Sequence, residues 1–398
     1  MFLGIGDRSR LILTGLAALV ISAAVISIAG MVLGSARELL AVIPGLMVLL
    51  PASINMRGSI SGVFASRLSS SMHRGEFEVD LREGEILGNN LRASFVITVL
   101  IAFVLGIFAY AVARLAALEV LGVLDLVLIS MISGVVSGVV VMAITILVSV
   151  ASYRYGLDLD MIAAPTVTTS GDIVTLPVLL LSAFLVILLP PGIRLALVAA
   201  ALLLVAATVV YALQRTEEVR DVVRETTSLL IPLCFVGTLA GVTYTVSLDS
   251  LIAFAALLIL IPPFAGGLGS IGGILASRLS TGMHMGEINP TLLPERGVVH
   301  QFIITYFYTL ILLPLVAGIA HGGALLLGLN SPGLGVLVAI SALAGVAIMT
   351  LVNGVAYVTA TLSFRYGLDP DNFGIPVITS LIDLIGATAL IAVITLVL

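Results

Sequence analysis

The sequence predicts an all-α polytopic membrane protein made of two similar halves. Of its 398 residues, 60% are apolar and 10% are charged, whereas about one quarter of the residues in soluble domains are charged. Apolar runs such as 11–33 and 93–113 have the roughly 20 residues that a helix needs to cross a bilayer, and they lack the alternation of a membrane strand. The chain is therefore expected to reside in a lipid bilayer, with helices as its spanning elements.

A direct internal repeat predicts the two halves. Shifted by 211 residues, the sequence matches itself without gaps from about Gly30 to the C-terminus. The segment 65–76, ASRLSSSMHRGE, overlies 276–287, ASRLSTGMHMGE, and 152–158, SYRYGLD, overlies 363–369, SFRYGLD. One constant offset over this length indicates two copies of one unit.

Each copy is expected to contribute five spans. In the first copy they are predicted near residues 11–34, 39–72, 89–113, 121–151 and 161–189, and in the second near 224–246, 251–283, 298–320, 333–362 and 372–397. One more apolar run, 193–213, has no counterpart. Eleven spans follow, and the predicted domains are the first repeat 1–190, the connecting helix 191–215 and the second repeat 216–398.

The connecting span predicts how the copies are oriented. A unit with an odd number of spans would be inverted in its second copy, and one extra span restores the orientation. The repeats are therefore expected to be parallel, about a pseudo-two-fold axis along the membrane normal. All basic residues are arginine, and this count puts only Arg37, Arg114 and Arg194 on one side of the membrane, against thirteen on the other. The positive-inside rule then predicts a cytoplasmic N-terminus and an external C-terminus for a protein of the cell membrane.

Two carboxylates lie inside predicted spans. Asp172 and Asp383 are equivalent, each about a dozen residues into the fifth span of its copy. An ionised carboxylate in hydrocarbon costs about 3 kcal/mol on insertion scales, so each is expected to face a cavity or a partner. Hydroxyls on the same helical face precede each aspartate by four and three residues. They belong to Thr168, Thr169, Thr379 and Ser380.

These oxygens indicate a site for a hard divalent cation. In parallel copies the two aspartates lie at one depth, and they face each other if the fifth spans line the axis. Mg²⁺ binds through one or two carboxylates and keeps several waters, while softer metals use His and Cys clusters that this sequence lacks. A packing or ion-pair role remains the alternative, with Arg57 in the second span as an available partner and Leu268 in its place in the other copy.

Two motifs, in the second and fifth spans, carry a family resemblance. They are Pro51…Gly58…Ala65-Ser-Arg-Leu-Ser…Gly75-Glu76 and Pro165…Thr168-Thr169…Asp172. Together they resemble the membrane domain of MgtE-type magnesium transporters, and the duplicated form is similar to their two-repeat solute-carrier relatives. The resemblance covers nearly the whole chain. It implies five helices per unit, a central ion path with Asp172 and Asp383 as ion ligands, and a fused chain that works as a monomer.

The sequence departs from that family in two respects. Gly58-Ser59 and Gly269-Ser270 stand where the family has a glycine-asparagine turn, so these serines are candidate pore-lining residues. About ten residues precede the first span. The soluble N-terminal and CBS regulatory domains of bacterial members are therefore expected to be absent, together with gating by a cytosolic Mg²⁺ sensor of that kind.

Other polar residues are weaker candidates. Asn353 in the fourth span, and the equivalent Asn90 and Gln301 in the third, either line the ion path or bridge helices. At the cytoplasmic ends of the second spans, four residues either form an ion vestibule or cap the helix, namely His73, Glu76, His284 and Glu287. The glycine-rich stretches 58–62 and 266–273 are either close helix crossings or unwound segments whose carbonyls meet the ion.

The predicted function is uptake of Mg²⁺ through a central pore, without enzymatic activity. A Na⁺-coupled Mg²⁺ exchanger using the same aspartates is the alternative. An intramembrane aspartyl protease also needs two membrane aspartates, but neither Asp172 nor Asp383 stands in the Gly-x-Gly-Asp motif of such enzymes. The net charge of −5 and the lack of a basic patch interleaved with aromatic residues make nucleic acid an unexpected partner.

Overall fold

The computed structural model is α-helical, with no strand among the residues that it describes. Its backbone is described for residues 5–43, 45–73, 75–155, 159–214, 217–291, 293–366 and 370–398. Side chains are described for the same residues except 5–11, 73, 159–165, 167–168, 217–218, 284 and 370–377. The fold class predicted from the sequence is confirmed.

The described residues form thirteen helices. They are α1 (Ile5–Ser35), α2 (Arg37–Val42), α3 (Leu46–His73), α4 (Ile86–Leu115), α5 (Val123–Tyr155), α6 (Leu159–Leu188), α7 (Pro191–Gln214), α8 (Glu217–Val246), α9 (Leu248–Ala253), α10 (Ala255–His284), α11 (Arg296–Leu326), α12 (Leu334–Arg365) and α13 (Pro370–Val397). All except the six-residue α2 and α9 are long and apolar enough to cross a membrane, which gives eleven spans. The predicted number of spans is confirmed.

The predicted second spans, 39–72 and 251–283, start too early. The structure divides each into a short helix, α2 or α9, and a later spanning helix, α3 or α10. In the first copy Ile43 precedes Pro44, and a proline disfavours helical backbone in the residue before it. In the second copy Phe254 leaves the helical region, with φ −122° and ψ 85°. Hydropathy does not register either break, because the residues on both sides are apolar.

The helix boundaries repeat along the chain. Every helix except α7 has a counterpart displaced by 211 residues, with both ends agreeing to within two residues. Even the short α2 recurs, as α9. The two copies are thus alike in local structure, while their parallel orientation remains a prediction.

Contacts divide the chain into two compact units that cut across the sequence repeats. The central unit is Glu38–Val246, and the terminal unit combines Met1–Arg37 with Ser247–Leu398. In the central unit α8 packs on α3 and α4, and in the terminal unit α1 packs on α10 and α11. The first helix of each repeat therefore packs with helices of the other repeat.

Small residues permit this close packing. α1 carries the motif Gly30-x-x-x-Gly34, and α8 carries Gly237-x-x-x-Gly241. A Cβ atom added to Gly237 would stand 2.8 Å from the Cα of Ala52 in α3. Glycine at such a position lets two helix backbones approach closely. The van der Waals packing that results is one of the forces that hold helices together in lipid.

Candidate functional site

Asp172 lies near the middle of α6, in the central unit. Its side chain is 7% exposed and interacts with another group. Helix α6 packs on α3 and α5. A Cβ atom on the preceding residue, Gly171, would stand 3.4 Å from Cγ of Arg57 and 3.7 Å from the backbone nitrogen of Gly58. Asp172 is therefore one residue from the crossing of the second and fifth spans.

The terminal unit repeats this crossing. Asp383 is half-buried on α13 and also interacts with another group. Helix α13 packs on α10 and α12. A Cβ atom on Gly269 would stand 3.8 Å from Cγ2 of Thr379, four residues before the aspartate. In both units the glycine-serine step of the second span packs against the fifth span, within about one helical turn of the aspartate on that span.

The hydroxyls predicted near the aspartates are partly described. Thr169 and Thr379 are half-buried and Ser380 is buried, and all three have interaction partners. The Thr168 side chain lies outside the described residues. Each described hydroxyl is within one turn of its aspartate on the same helix, whereas the facing of Asp172 and Asp383 across an axis remains a prediction.

The serines of the second spans bond within their own helices. Ser59 Oγ donates to Oδ1 of Asn55 at 3.4 Å, and Ser270 Oγ donates to the carbonyl of Gly266 at 2.8 Å. Both spans are helical through their glycine-rich stretches, 58–62 and 266–273. The alternative of unwound segments is wrong for this structure. Some of these glycines serve close helix crossings, as at Gly272, where a Cβ atom would stand 2.8 Å from Cγ2 of Ile378, whereas at Gly62 and Gly273 it would meet open space.

Arg57 is buried inside the central unit, with 5% of its surface exposed. Its Nη1 donates to Oγ1 of Thr98 in α4 at 3.2 Å, and its Nη2 donates to the carbonyl of Gly134 in α5. The guanidinium thus ties three spans together. The sequence shows this charge but does not predict its partners, because Thr98 and Gly134 are single residues within apolar runs and carry no motif.

The amides of the third span bridge helices. Arg67 Nε donates to Oδ1 of Asn90 at 2.7 Å, and Arg278 Nη1 donates to Oε1 of Gln301 at 3.1 Å. Both bonds link the second span to the third at equivalent positions of the two repeats. Of the two roles that the sequence left open, the structure supports bridging for Asn90 and Gln301.

Asn353 lies deep in α12 and bonds to α11. Its Oδ1 accepts a hydrogen bond from Oγ1 of Thr305 at 2.9 Å. Its Nδ2 is buried without a hydrogen-bond partner among the described residues. The side chain thus bridges two helices and keeps a free donor, and its place along an ion path remains a prediction.

The second spans end at glycines with left-handed backbone. Gly75 has φ +72° and Gly286 has φ +71°. The following amides, of Glu76 and Glu287, donate back to the carbonyls of Ser71 and Gly282, at 3.0 and 2.8 Å. This is the usual glycine C-cap of a helix. Both glutamates are exposed, and the side chains of the two vestibule histidines, His73 and His284, lie outside the described residues.

No group of three or more His, Cys, Asp or Glu side chains is close enough to hold a metal ion, as far as the described part of the chain is concerned. The arrangement offers one intramembrane carboxylate per unit, with hydroxyls and helix crossings around it. Such a site suits a cation that keeps most of its water shell, as Mg²⁺ does.

Comparison with known proteins identifies the family. The family model "MgtE: Divalent cation transporter" matches residues 50–182 and again 261–393. The chain belongs to this family of divalent cation transporters. The two matches are offset by the same 211 residues as the internal repeat, which confirms that each half carries one copy of the family's domain.

Relatives that match along most of this chain support this assignment. Solute carrier family 41 member 3 of Mus musculus is 23% identical over 368 residues, covering 87% of this chain and 74% of the relative. Solute carrier family 41 member 2 of Gallus gallus is 24% identical over 393 residues, covering 87% and 63%. Member 2 of Mus musculus is 26% identical over 398 residues, covering 92% and 66%. No solved structure matches the chain.

Proposed function

We propose that this protein carries Mg²⁺ into the cell, with Asp172 and Asp383 as the ion-binding carboxylates. The observation that carries the proposal is their equivalence. In a chain of the divalent cation transporter family, each repeat holds one intramembrane aspartate beside the crossing of its second and fifth spans. A charged side chain kept at that depth in both copies indicates a role in ion binding.

The ion path is proposed to run along the second and fifth spans at the centre of the molecule. Two carboxylates neutralise a divalent cation, and neutral oxygens supply the remaining contacts directly or through water. The oxygens proposed to line the path are those of Thr168, Thr169, Thr379, Ser380, Ser59, Ser270 and Asn353. A fused pair of repeats supplies both carboxylates, so a single chain is proposed to be sufficient.

The proposed direction of transport follows from orientation and charge. The arginine distribution favours a cytoplasmic N-terminus. The membrane potential, negative inside, then draws the cation inward. The acidic ends of the second spans, with Glu76 and Glu287, would lie on the cytoplasmic side as a vestibule for the departing ion.

The test is Mg²⁺ uptake into liposomes by wild type, Asp172→Asn, Asp383→Asn and the double variant. Asparagine keeps the shape of aspartate and removes its charge. Replacing an outer-shell partner of a bound metal already costs about tenfold to a hundredfold in affinity or activity, so loss of a direct ligand is expected to reduce uptake by more than about tenfold.

Asp125→Asn is the matched control. Asp125 lies in the first turn of α5 and pairs with Nη1 of Arg194 at 3.5 Å, with both side chains partly exposed. Such a pair contributes little to stability, so this variant should transport normally. Wild-type uptake by the double variant would exclude the two aspartates as the ion site.

A further inference from the structure

Arg57 lines a small cavity where α3, α4, α5 and α6 meet in the central unit. It offers about 20 Å³ of room, slightly more than one water molecule needs. Its polar lining comes from Arg57, Ser53, Thr98, Ser130, Ser133 and Thr175, and the rest of its wall is mostly apolar. Among the described residues that line it, Asp172 does not appear.

Three polar atoms of this lining are buried without a hydrogen-bond partner among the described residues. They are Nε of Arg57, Oγ of Ser133 and Oγ1 of Thr175. Arg57 is 5% exposed, and Ser133 and Thr175 are each 1% exposed. A buried polar group without a partner is costly, and a buried charge more so. All three residues line the same cavity, so a species bound in it is the candidate partner for these groups.

The two hydroxyls are free to donate into the cavity. Buried hydroxyls of spanning helices commonly donate to the carbonyl four residues earlier, and Ser137 and Thr145 of α5 and Ser182 of α6 do so, at 2.6 to 2.8 Å. Ser133 and Thr175 lie on the same helices but make no such bond. Their hydrogens are thus available to a ligand.

The buried charge of Arg57 favours an anion over water. The Nε–H of Arg57 can only donate, whereas each hydroxyl can donate or accept. A water could accept from Arg57 and donate to the hydroxyl oxygens, but it would leave the guanidinium charge uncompensated. A small anion accepts all three bonds and balances the charge, and charge-assisted hydrogen bonds are the stronger kind.

The second repeat does not keep the main residues of this site. At five positions in the lining or beside Arg57, it replaces Arg57, Ala102, Ser133, Gly138 and Thr175 with Leu268, Leu313, Ala344, Met349 and Gly386. In the terminal unit the Leu313 side chain occupies the space where Gly345 would carry a Cβ atom. Removal of the charge thus accompanies loss of both hydroxyls and filling of the space, as expected if these residues form one site.

We propose that the Arg57 cavity binds one small monovalent anion of chloride size, held by Arg57, Ser133 and Thr175. Its volume excludes larger anions such as gluconate. The bromide test of this site and the uptake test of the two aspartates are separate measurements, so either proposal can fail without the other.

Bromide tests the site directly. Wild-type crystals grown with bromide in place of chloride should show an anomalous difference peak in contact with Nε of Arg57 and the hydroxyls of Ser133 and Thr175. Density there without anomalous signal would mean water only, and absence of density would mean no ligand. Either result overturns the proposal, and neither depends on a variant that folds.

Thermal unfolding in detergent gives a second measurement. Sodium bromide should raise the unfolding midpoint of the wild type by about 2 °C or more over sodium gluconate of equal ionic strength. The Ser133→Ala/Thr175→Val variant should lose this difference. The control Thr145→Val, which removes a buried hydroxyl bonded within its own helix, should keep it. An equal difference in wild type and the double variant would exclude the site.

Discussion

Gly30 of α1 packs directly on the backbone carbonyl of Ile259 in α10, and a Cβ atom on the glycine would collide with that oxygen. The equivalent residues, Gly241 of α8 and Val48 of α3, make the same contact in the central unit. Each pair joins the first helix of one repeat to the second span of the other. In each copy, one glycine of the first helix therefore allows that helix to pack on the second span of the other repeat.

Gly30→Ala should destabilise the terminal unit. Its methyl group would force α1 away from α10, and overpacking of this kind costs about 1 to 3 kcal/mol. The midpoint of thermal unfolding in detergent should fall by several degrees. Gly318→Ala in α11 is the control, since a Cβ atom there meets open space. Equal midpoints for the two variants would contradict the role assigned to Gly30.

Asn90→Ala should weaken the link between the second and third spans. It removes the acceptor of Arg67 Nε, 2.7 Å away, and a hydrogen bond to a charged group contributes about 1.5 to 3 kcal/mol. Gln301→Ala should weaken the equivalent link in the second repeat, because it removes the acceptor of Arg278 Nη1. Asn289→Ala removes only an exposed bond to Glu295 and should change the unfolding midpoint little. Equal unfolding midpoints for all three variants would show that the two bridges do not stabilise the protein.

Asn353→Met introduces the residue found at the equivalent position, Met142. The variant loses the bond from Thr305, but it also removes a buried amide nitrogen that has no hydrogen-bond partner among the described residues. These effects oppose each other, so stability should change by less than about 1 kcal/mol. Mg²⁺ uptake should fall if Asn353 lines the path as proposed. The control Ser341→Ala, on the same helix, should transport normally, and unimpaired uptake by Asn353→Met would leave this residue only a bridge.

Uptake should respond to voltage and not to sodium. A divalent cation gains about 4.6 kcal/mol per 100 mV, which is about three orders of magnitude in accumulation at equilibrium. A potassium diffusion potential, negative inside the liposomes, should therefore accelerate Mg²⁺ entry, while a Na⁺ gradient should not. Dependence on the Na⁺ gradient would favour the coupled exchanger.

Much of the fold could be predicted because the relevant signals are local. Hydropathy located all eleven spans, and the constant offset found the repeat that the family model also detects. The second spans were placed too early, since a break such as that at Phe254 depends on backbone geometry and not on polarity. Of the candidate site, the sequence predicts both aspartates, whose role as ion ligands remains a prediction. It leaves the roles of Asn90 and Gln301 open, because an amide can either bridge helices or face a path.

The amino-acid sequence alone is enough to predict that the chain resides in a lipid bilayer, how many times it spans the membrane, and that equivalent carboxylates stand in both repeats. Each of these follows from residue types read along the chain. The folded chain adds three features: α1 and α8 pack with the opposite repeat, Arg67 and Arg278 bond to the third-span amides, and Arg57 lines a cavity. These features depend on contacts between residues far apart in sequence. Because every spanning helix in lipid is apolar, hydropathy does not show which helices pack together; their shape and hydrogen bonds select the pairs.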